Sequence, residues 1–247
     1  MAELGSIELV FAALVLVVAY AVRGTAGFGG QAVAVPLLAL VLPLPVMVSA
    51  VVVLTVLASF GNWRDRASID WREIGRLLPY TLLGVLAGLI LLDRVDVRIL
   101  TRSFGVFVLL YGCFALATVS RPVEISPRYL GVARAVLSLL AGAAGAAFGA
   151  AAGPLYAMHF TARRLEKDAF RVTITTILGI QAVMRIAGYA RLGFYDQTVF
   201  ILIIAGLPLM FIGTRIGHRL AGRLDQRRFN TGIGVLLLVS GIALLFK

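Results

Sequence analysis

Residues 23 to 38 read RGTAGFGGQAVAVPLL and set Arg23 beside Gly27, Phe28, Gly29, Gly30 and Gln31 inside an otherwise oily segment. Glycines leave backbone N–H groups open. In hydrocarbon such groups are tolerated only where they are buried in protein or line a wet cavity, so the break predicts a cavity. A helix beginning near Gly29–Gln31 aims its first-turn N–H groups and the positive end of its dipole into that cavity, an arrangement suited to an anion. Arg23 adds a guanidinium that fits oxyanions bidentately. A second stretch, GAAGAAFGAAAGPLYA, offers Gly145, Gly149, Gly153 and Pro154 in the same way. Gln181 and Arg185 stand four apart and so share one helical face, near where Ser59 and Asn62 fall in the first half of the chain. Plainer readings compete at each position. Glycine and alanine serve close helix packing, Arg23 can snorkel to headgroups, and Pro36 and Pro154 can simply set a kink or a helix start.

These groups need elements to hold them, and composition names the solvent. The 247 residues are 60% hydrophobic, with a mean hydropathy of +0.98, and the apolar residues come in blocks. An all-α polytopic membrane protein follows. Eight candidate spans cover 5–22, 46–60, 74–92, 99–119, 129–148, 170–187, 198–213 and 231–246. Two shorter apolar arms, 30–42 and 149–160, bring the number of membrane segments to between eight and ten. Ala19-Tyr20-Ala21 resembles a leader cleavage site, but Glu3 and Glu8 occupy the place of a positive n-region, so the first block reads as a mature helix. Cys113 lies within a span and is expected to be a buried, inert thiol. A net charge of +11 would suggest nucleic acid in a soluble chain; here the basic residues occupy loops, where they set orientation, and no nucleic-acid partner is expected.

The chain repeats itself. A shift of 118 lays Gly24 on Gly142, Gly27 on Gly145 and Pro36 on Pro154; a shift of 129 lays Pro79 on Pro208, Gly84 on Gly213, Gly88 on Gly217, Gly105 on Gly234 and Gly112 on Gly241. One transmembrane domain, 1–247, is therefore expected to contain repeat one at 1–119, a linker at 120–127 and repeat two at 128–247. If each copy is a Gly-broken helical hairpin plus three transmembrane helices, the second copy is inverted. That topology puts 17 of the 23 Lys and Arg residues on one side and 6 on the other; parallel copies give 13 and 10. The inverted arrangement agrees with the positive-inside rule and leaves both termini outside the cytoplasm. Inverted repeats with discontinuous helices commonly bind substrate at their interface near the midplane and rock to alternate access.

Every Asp and Glu lies in a loop or at a span end, and His159 is expected at the interface beside a basic loop. No metal cluster, HExxH, Ser–His pair or intramembrane Asp pair is recognised, so neither a cofactor nor an enzyme is expected. A channel would need a continuous polar lining.

At GTAGFGGQAVAVPLL, with its echo GAAGAAFGAAAGPL, the chain resembles the sulfite exporter TauE/SafE family, the TSUP membrane permeases. The resemblance covers nearly the whole chain and departs in the alanine-rich second hairpin. It implies a bacterial inner-membrane transporter, an exporter, of small sulfur-containing anions such as sulfite or sulfoacetate, with the lipid bilayer as its other partner and self-association left open. The expected ligands are Arg23 and the Gly27–Gln31 backbone, followed by Gln181 and Arg185. An anion-selective channel and a carrier of another small organic anion are the alternatives.

Overall fold

The computed structural model describes residues 6–26, 29–59, 67–118, 125–150, 152–220 and 226–246, and the regular elements among them are all helical. They are α1 (Ser6–Ala26), α2 (Gly30–Leu38), α3 (Leu44–Ser59), α4 (Trp71–Arg94), α5 (Val97–Thr118), α6 (Leu130–Phe148), α7 (Ala152–Ala162), α8 (Lys167–Arg191), α9 (Gln197–Leu220) and α10 (Gln226–Leu245). Six of them, α1, α4, α5, α6, α8 and α9, are long and apolar enough to cross a bilayer. Helix α3 and the apolar part of α10, Thr231–Leu245, are shorter. The arms expected at 30–42 and 149–160 are helices of 9 and 11 residues.

Local chemistry sets the ends. Asp70 caps α4 by accepting from the Glu73 N–H at 2.9 Å, and Asp196 accepts from the Val199 N–H at 2.8 Å at the start of α9. The two breaks turn on left-handed glycines. Gly29, at φ 90°, precedes α2, and Gly149, at φ 72°, ends α6 while its N–H donates to the Gly145 carbonyl. A Cβ at Gly149 would also stand 2.7 Å from Val48 Cγ1, so the position is closed to other residues by strain and by space.

Three tight helix pairs organise the bundle: α1 with α9, α4 with α6, and α5 with α10. Glycine makes each approach. A Cβ on Gly142 would lie 3.0 Å from the Gly84 Cα, and one on Gly24 the same distance from the Gly217 Cα. Gly84 meets Leu139 and Ala143 while Gly88 meets Ala143 and Ala147, so α4 and α6 run in the same direction. Gly213 meets Val17 and Ala21 while Gly217 meets Ala21 and Gly24, so α1 and α9 do likewise. Gly105 lies against Leu244 and Gly112 against Leu238, which makes α5 and α10 antiparallel.

The apolar clusters follow these pairs. One joins Ile74 and Leu77 of α4 to Ala141 of α6, Tyr156 and Phe160 of α7, and Ile174 and Ile177 of α8. Another joins Tyr20 of α1 to Ala50 and Leu54 of α3 and Ile203 and Met210 of α9. Helix α4 thus packs into the second half of the chain and α9 into the first. Two interlocked bundles result, meeting where α3 touches α8. Their outer surfaces carry exposed Leu14 and Val18, Leu83 and Leu86, and Ile204 and Phe211, which suits a lipid-facing wall. Cys113 is exposed on that wall, contrary to the expected buried thiol: it falls on the outward side of α5, whereas Gly112 faces α10.

Candidate functional site

Helix α8 turns one face toward α6, and Gln181, Arg185 and Tyr189 lie on it at four-residue intervals. Gln181 donates Nε2 to the Ala141 carbonyl at 2.7 Å, and Gly145 leaves room for that amide. Tyr189 donates its hydroxyl to the Ala146 carbonyl at 2.6 Å. Arg185, between them, finds no such carbonyl. It is 1% exposed, and its Nη1 and Nε reach only Gln31 Oε1 at 3.4 Å and the Tyr189 hydroxyl at 3.3 Å. Charged donors ordinarily settle at about 2.7–2.9 Å, so both contacts are slack. The Arg185 guanidinium carbon lies 5.7 Å from the Tyr189 ring centroid, its Nη2 is buried without a partner, and the nearby Tyr195 hydroxyl is buried without one too. Among the described residues no carboxylate pairs with Arg185 or with Arg23.

The slack contact crosses the molecule. Gln31 belongs to α2, and its Nε2 donates to Thr55 Oγ1 on α3 at 2.9 Å; Arg185 belongs to the other bundle. Thr55 lies between Val48, which touches Gly149 at the second break, and Ser59, which touches Arg23 near the first. Val48 and Ser59 are eleven residues apart on one helix, about 16 Å along its axis, so the breaks stand at different levels with the Arg185 contact between them.

Of the residues expected at a site, the structure joins Gln31 to Arg185 and places Gln181 one turn away. Arg23 is 5% exposed and donates Nη2 to Ser59 Oγ at 2.7 Å, so it turns inward and does not snorkel. Gly30 is buried against it: a Cβ there would meet the Ala19 carbonyl at 2.9 Å and Arg23 Cβ at 3.1 Å. Pro36 is buried within α2, and Gly153 and Pro154 occupy the first turn of α7. Gly27, Phe28 and Asn62 lie outside the described residues. Sequence reasoning missed Tyr189 and Tyr195. The 181, 185, 189 spacing was the signal for the first; nothing local marks the second.

His159, expected beside a basic loop, is enclosed by protein. It is 0% exposed and its Nε2 lies 2.8 Å from Glu73 Oε1, because the end of α7 folds under α4 and α6. Glu73, 1% exposed, also receives Arg134 Nε at 3.0 Å and contacts from Arg163 and Arg76 at 3.4 Å. A carboxylate in the first turn of α4 is thereby buried beneath cations. This cluster sets its cations against a carboxylate, which separates it from Arg185, while His159 Nδ1 and Arg163 Nε are buried without a partner.

Comparison with known proteins bears on this geometry. Residues 12–244 match the family model described as Sulfite exporter TauE/SafE. The chain is 29% identical over 177 residues to the "Probable inner membrane transporter protein TsaS" of Comamonas testosteroni, a match covering 71% of this chain and 72% of that one. No solved structure matches.

Proposed function

Because the chain belongs to the sulfite exporter TauE/SafE family of membrane transporters, we propose that it carries a small sulfur oxyanion, such as sulfite or sulfoacetate, outward across the bacterial inner membrane. The observation that carries the reading is Arg185: a buried guanidinium with slack contacts, an unpartnered Nη2 and no carboxylate. An arginine within a membrane helix costs up to about 2.5–3.5 kcal/mol on insertion scales, the value for the helix centre, and a functional anion offsets that cost. The bound oxyanion takes two donors from Arg185 and one from the Tyr195 hydroxyl, while the Gln31 amide orients the guanidinium. The first turn of α2 flanks the anion on one side, with Arg23 farther along the same polar line, and Gln181 with the Gly145 and Gly149 turn flanks it on the other; Gly153 and Pro154 support that turn.

Alternating access by inverted repeats supplies the movement. Three features support it: the register of glycines and prolines between the halves, the placement of the two breaks at opposite ends of α3, and the exchange of α4 and α9 between bundles. The bodies that rock are the two interlocked bundles, not the two sequence halves, and the Gln31–Arg185 contact bridges them. With the buried Arg23 and Arg185 set aside, the 17-to-6 division of basic residues becomes 16 to 5 and still supports a cytoplasmic face at the Trp71 end of α4 and termini on the outside. A membrane potential negative inside drives an anion outward by about 2.3 kcal/mol per charge per 100 mV, so export requires no coupling ion.

The test is flux of labelled sulfite, sulfoacetate and sulfate in proteoliposomes at imposed potentials of either sign. Saturable, potential-dependent flux stimulated by the same anion on the far side supports a carrier. Flux without saturation or counter-stimulation marks a channel instead, and absence of flux for all three sinks the reading.

A further inference from the structure

The Arg185 contact does not end at Thr55. Thr55 donates its hydroxyl to the Val51 carbonyl at 2.8 Å, and Ser59, one turn on, donates to the Thr55 carbonyl at 2.7 Å. Both oxygens therefore face the interior as acceptors, one receiving Gln31 and the other Arg23. A continuous polar line results: Arg185, Gln31, Thr55, Ser59, Arg23. The two ends are built alike. Each has a buried arginine with no carboxylate on it among the described residues, and each has a buried tyrosine hydroxyl close by, Tyr195 beside Arg185 and Tyr20 one turn before Arg23, with Thr55 in reach of the Tyr20 hydroxyl. Ser59 is the one side-chain acceptor for Arg23 among the described residues, against five donors on a guanidinium.

Packing alone does not call for this. A guanidinium needed only to fill space would be replaced by an apolar side chain without loss, and a tyrosine buried only for its ring has no need of a hydroxyl. The equivalence is also absent from the repeat itself: the 118 shift lays Ala141 on Arg23 and Ser138 on Tyr20. The second polar end therefore belongs to one half and has no counterpart at the matching positions of the other.

We propose that Arg23, Ser59 and Tyr20 form a second anion station, in series with the Arg185 station, so that two singly charged oxyanions occupy the line together. This rests on the transport reading above. The station nearer the C-terminal end of α1 receives the anion from the cytoplasm; Thr55 and Gln31 lie between it and Arg185. Repulsion between two anions on one line weakens both and speeds release, as multi-site conduction requires.

Equilibrium binding of labelled sulfite to the purified full chain, at a pH that keeps it as hydrogensulfite, decides the matter. Wild type is expected to bind two anions per chain, Arg23→Gln one and Arg185→Gln one, with the double variant binding none. Arg23→Lys should restore the second anion at weaker affinity, about tenfold, because it keeps the charge and loses the fork. Retention of one anion by Arg23→Gln also shows that this variant is folded. If wild type binds a single anion, lost in Arg185→Gln and kept in Arg23→Gln, the second station does not exist and the transport reading stands. If wild type binds a single anion and each single variant binds none, one ligand spans both arginines and the series arrangement is overturned. No binding to wild type overturns both readings.

Discussion

The bundle of α4, α6, α7 and α8 and the bundle of α9, α1, α2 and α3 share a packing plan and differ in where they keep charge. In the first, Glu73 and His159 tie α7 to α4 with Arg134 and Arg163 around them, and the Thr81 and Tyr156 hydroxyls, 2.8 Å apart, add a second tie. The shifts of 118 and 129 place Leu202, Val41 and Leu16 at the positions of Glu73, His159 and Arg134, and Met210 and Leu38 at those of Thr81 and Tyr156. All five are apolar. The second bundle instead keeps its buried charge at Arg23, with no carboxylate on it among the described residues. One arm is thus latched by an ionic cluster built on a carboxylate, and the other is held by apolar packing beside an arginine that donates to the Ser59 hydroxyl. The shared packing plan supplies the shape, while unlike polar residues set its two arms apart.

That comparison can be pressed hardest at the glycines. Gly84→Leu and Gly213→Leu should each prevent the tight pair from forming, with losses above the roughly 1–3 kcal/mol of ordinary overpacking because a main-chain carbonyl blocks the side chain. Thermal unfolding in detergent checks this, and tolerance of one but not the other would break the equivalence of the bundles. Next in size is Arg185→Gln, expected to reduce anion flux about 100-fold, the scale of losing one partner from a buried charged contact. Glu73→Gln should cost about 2 kcal/mol of stability, less than a fully buried pair would lose because Arg134 and Arg163 remain partly solvated. Leu202→Met, at the matching position, should cost less than about 1.5 kcal/mol, and a larger loss there than at Glu73 would contradict the latch. Tyr195→Phe should slow transport by about threefold to tenfold, the value of one neutral hydrogen bond, with unfolding unchanged. Cys113→Ser, on the lipid-facing wall, sets the floor and should alter flux by less than about twofold.

Much of the scaffold could be read before any coordinates. Long apolar blocks give spans because a bilayer demands roughly twenty residues of helix, and Gly24, Gly84, Gly142 and Gly213, matched in pairs by the shifts, are the residues at the closest helix crossings. The Gly29 and Gly149 breaks were likewise visible, since a turn at positive φ selects glycine. What could not be read is which face of each helix meets which neighbour. Arg23 ranked above Arg185 because it adjoins the glycines in sequence, but α2 carries Gln31 across to α8, a contact spanning 154 positions. His159 looked interfacial beside a basic loop, and Glu73 looked like one more carboxylate in a loop or at a span end; their burial arises from α7 folding under α4, a tertiary event with no local mark. Cys113 shares its helix with Gly105 and Gly112, and only the docking of α10 decides which side of that helix is lipid.

The central claim is that the anion is held at Arg185, between the two bundles. Counterflow of labelled sulfite in proteoliposomes, compared for wild type, Arg185→Lys and Arg185→Gln, tests it most directly. Loss of counterflow in Arg185→Gln with partial recovery in Arg185→Lys, each protein unfolding at close to the wild-type temperature, is the predicted result. Wild-type counterflow in a folded Arg185→Gln protein would contradict it and move the substrate elsewhere in the molecule.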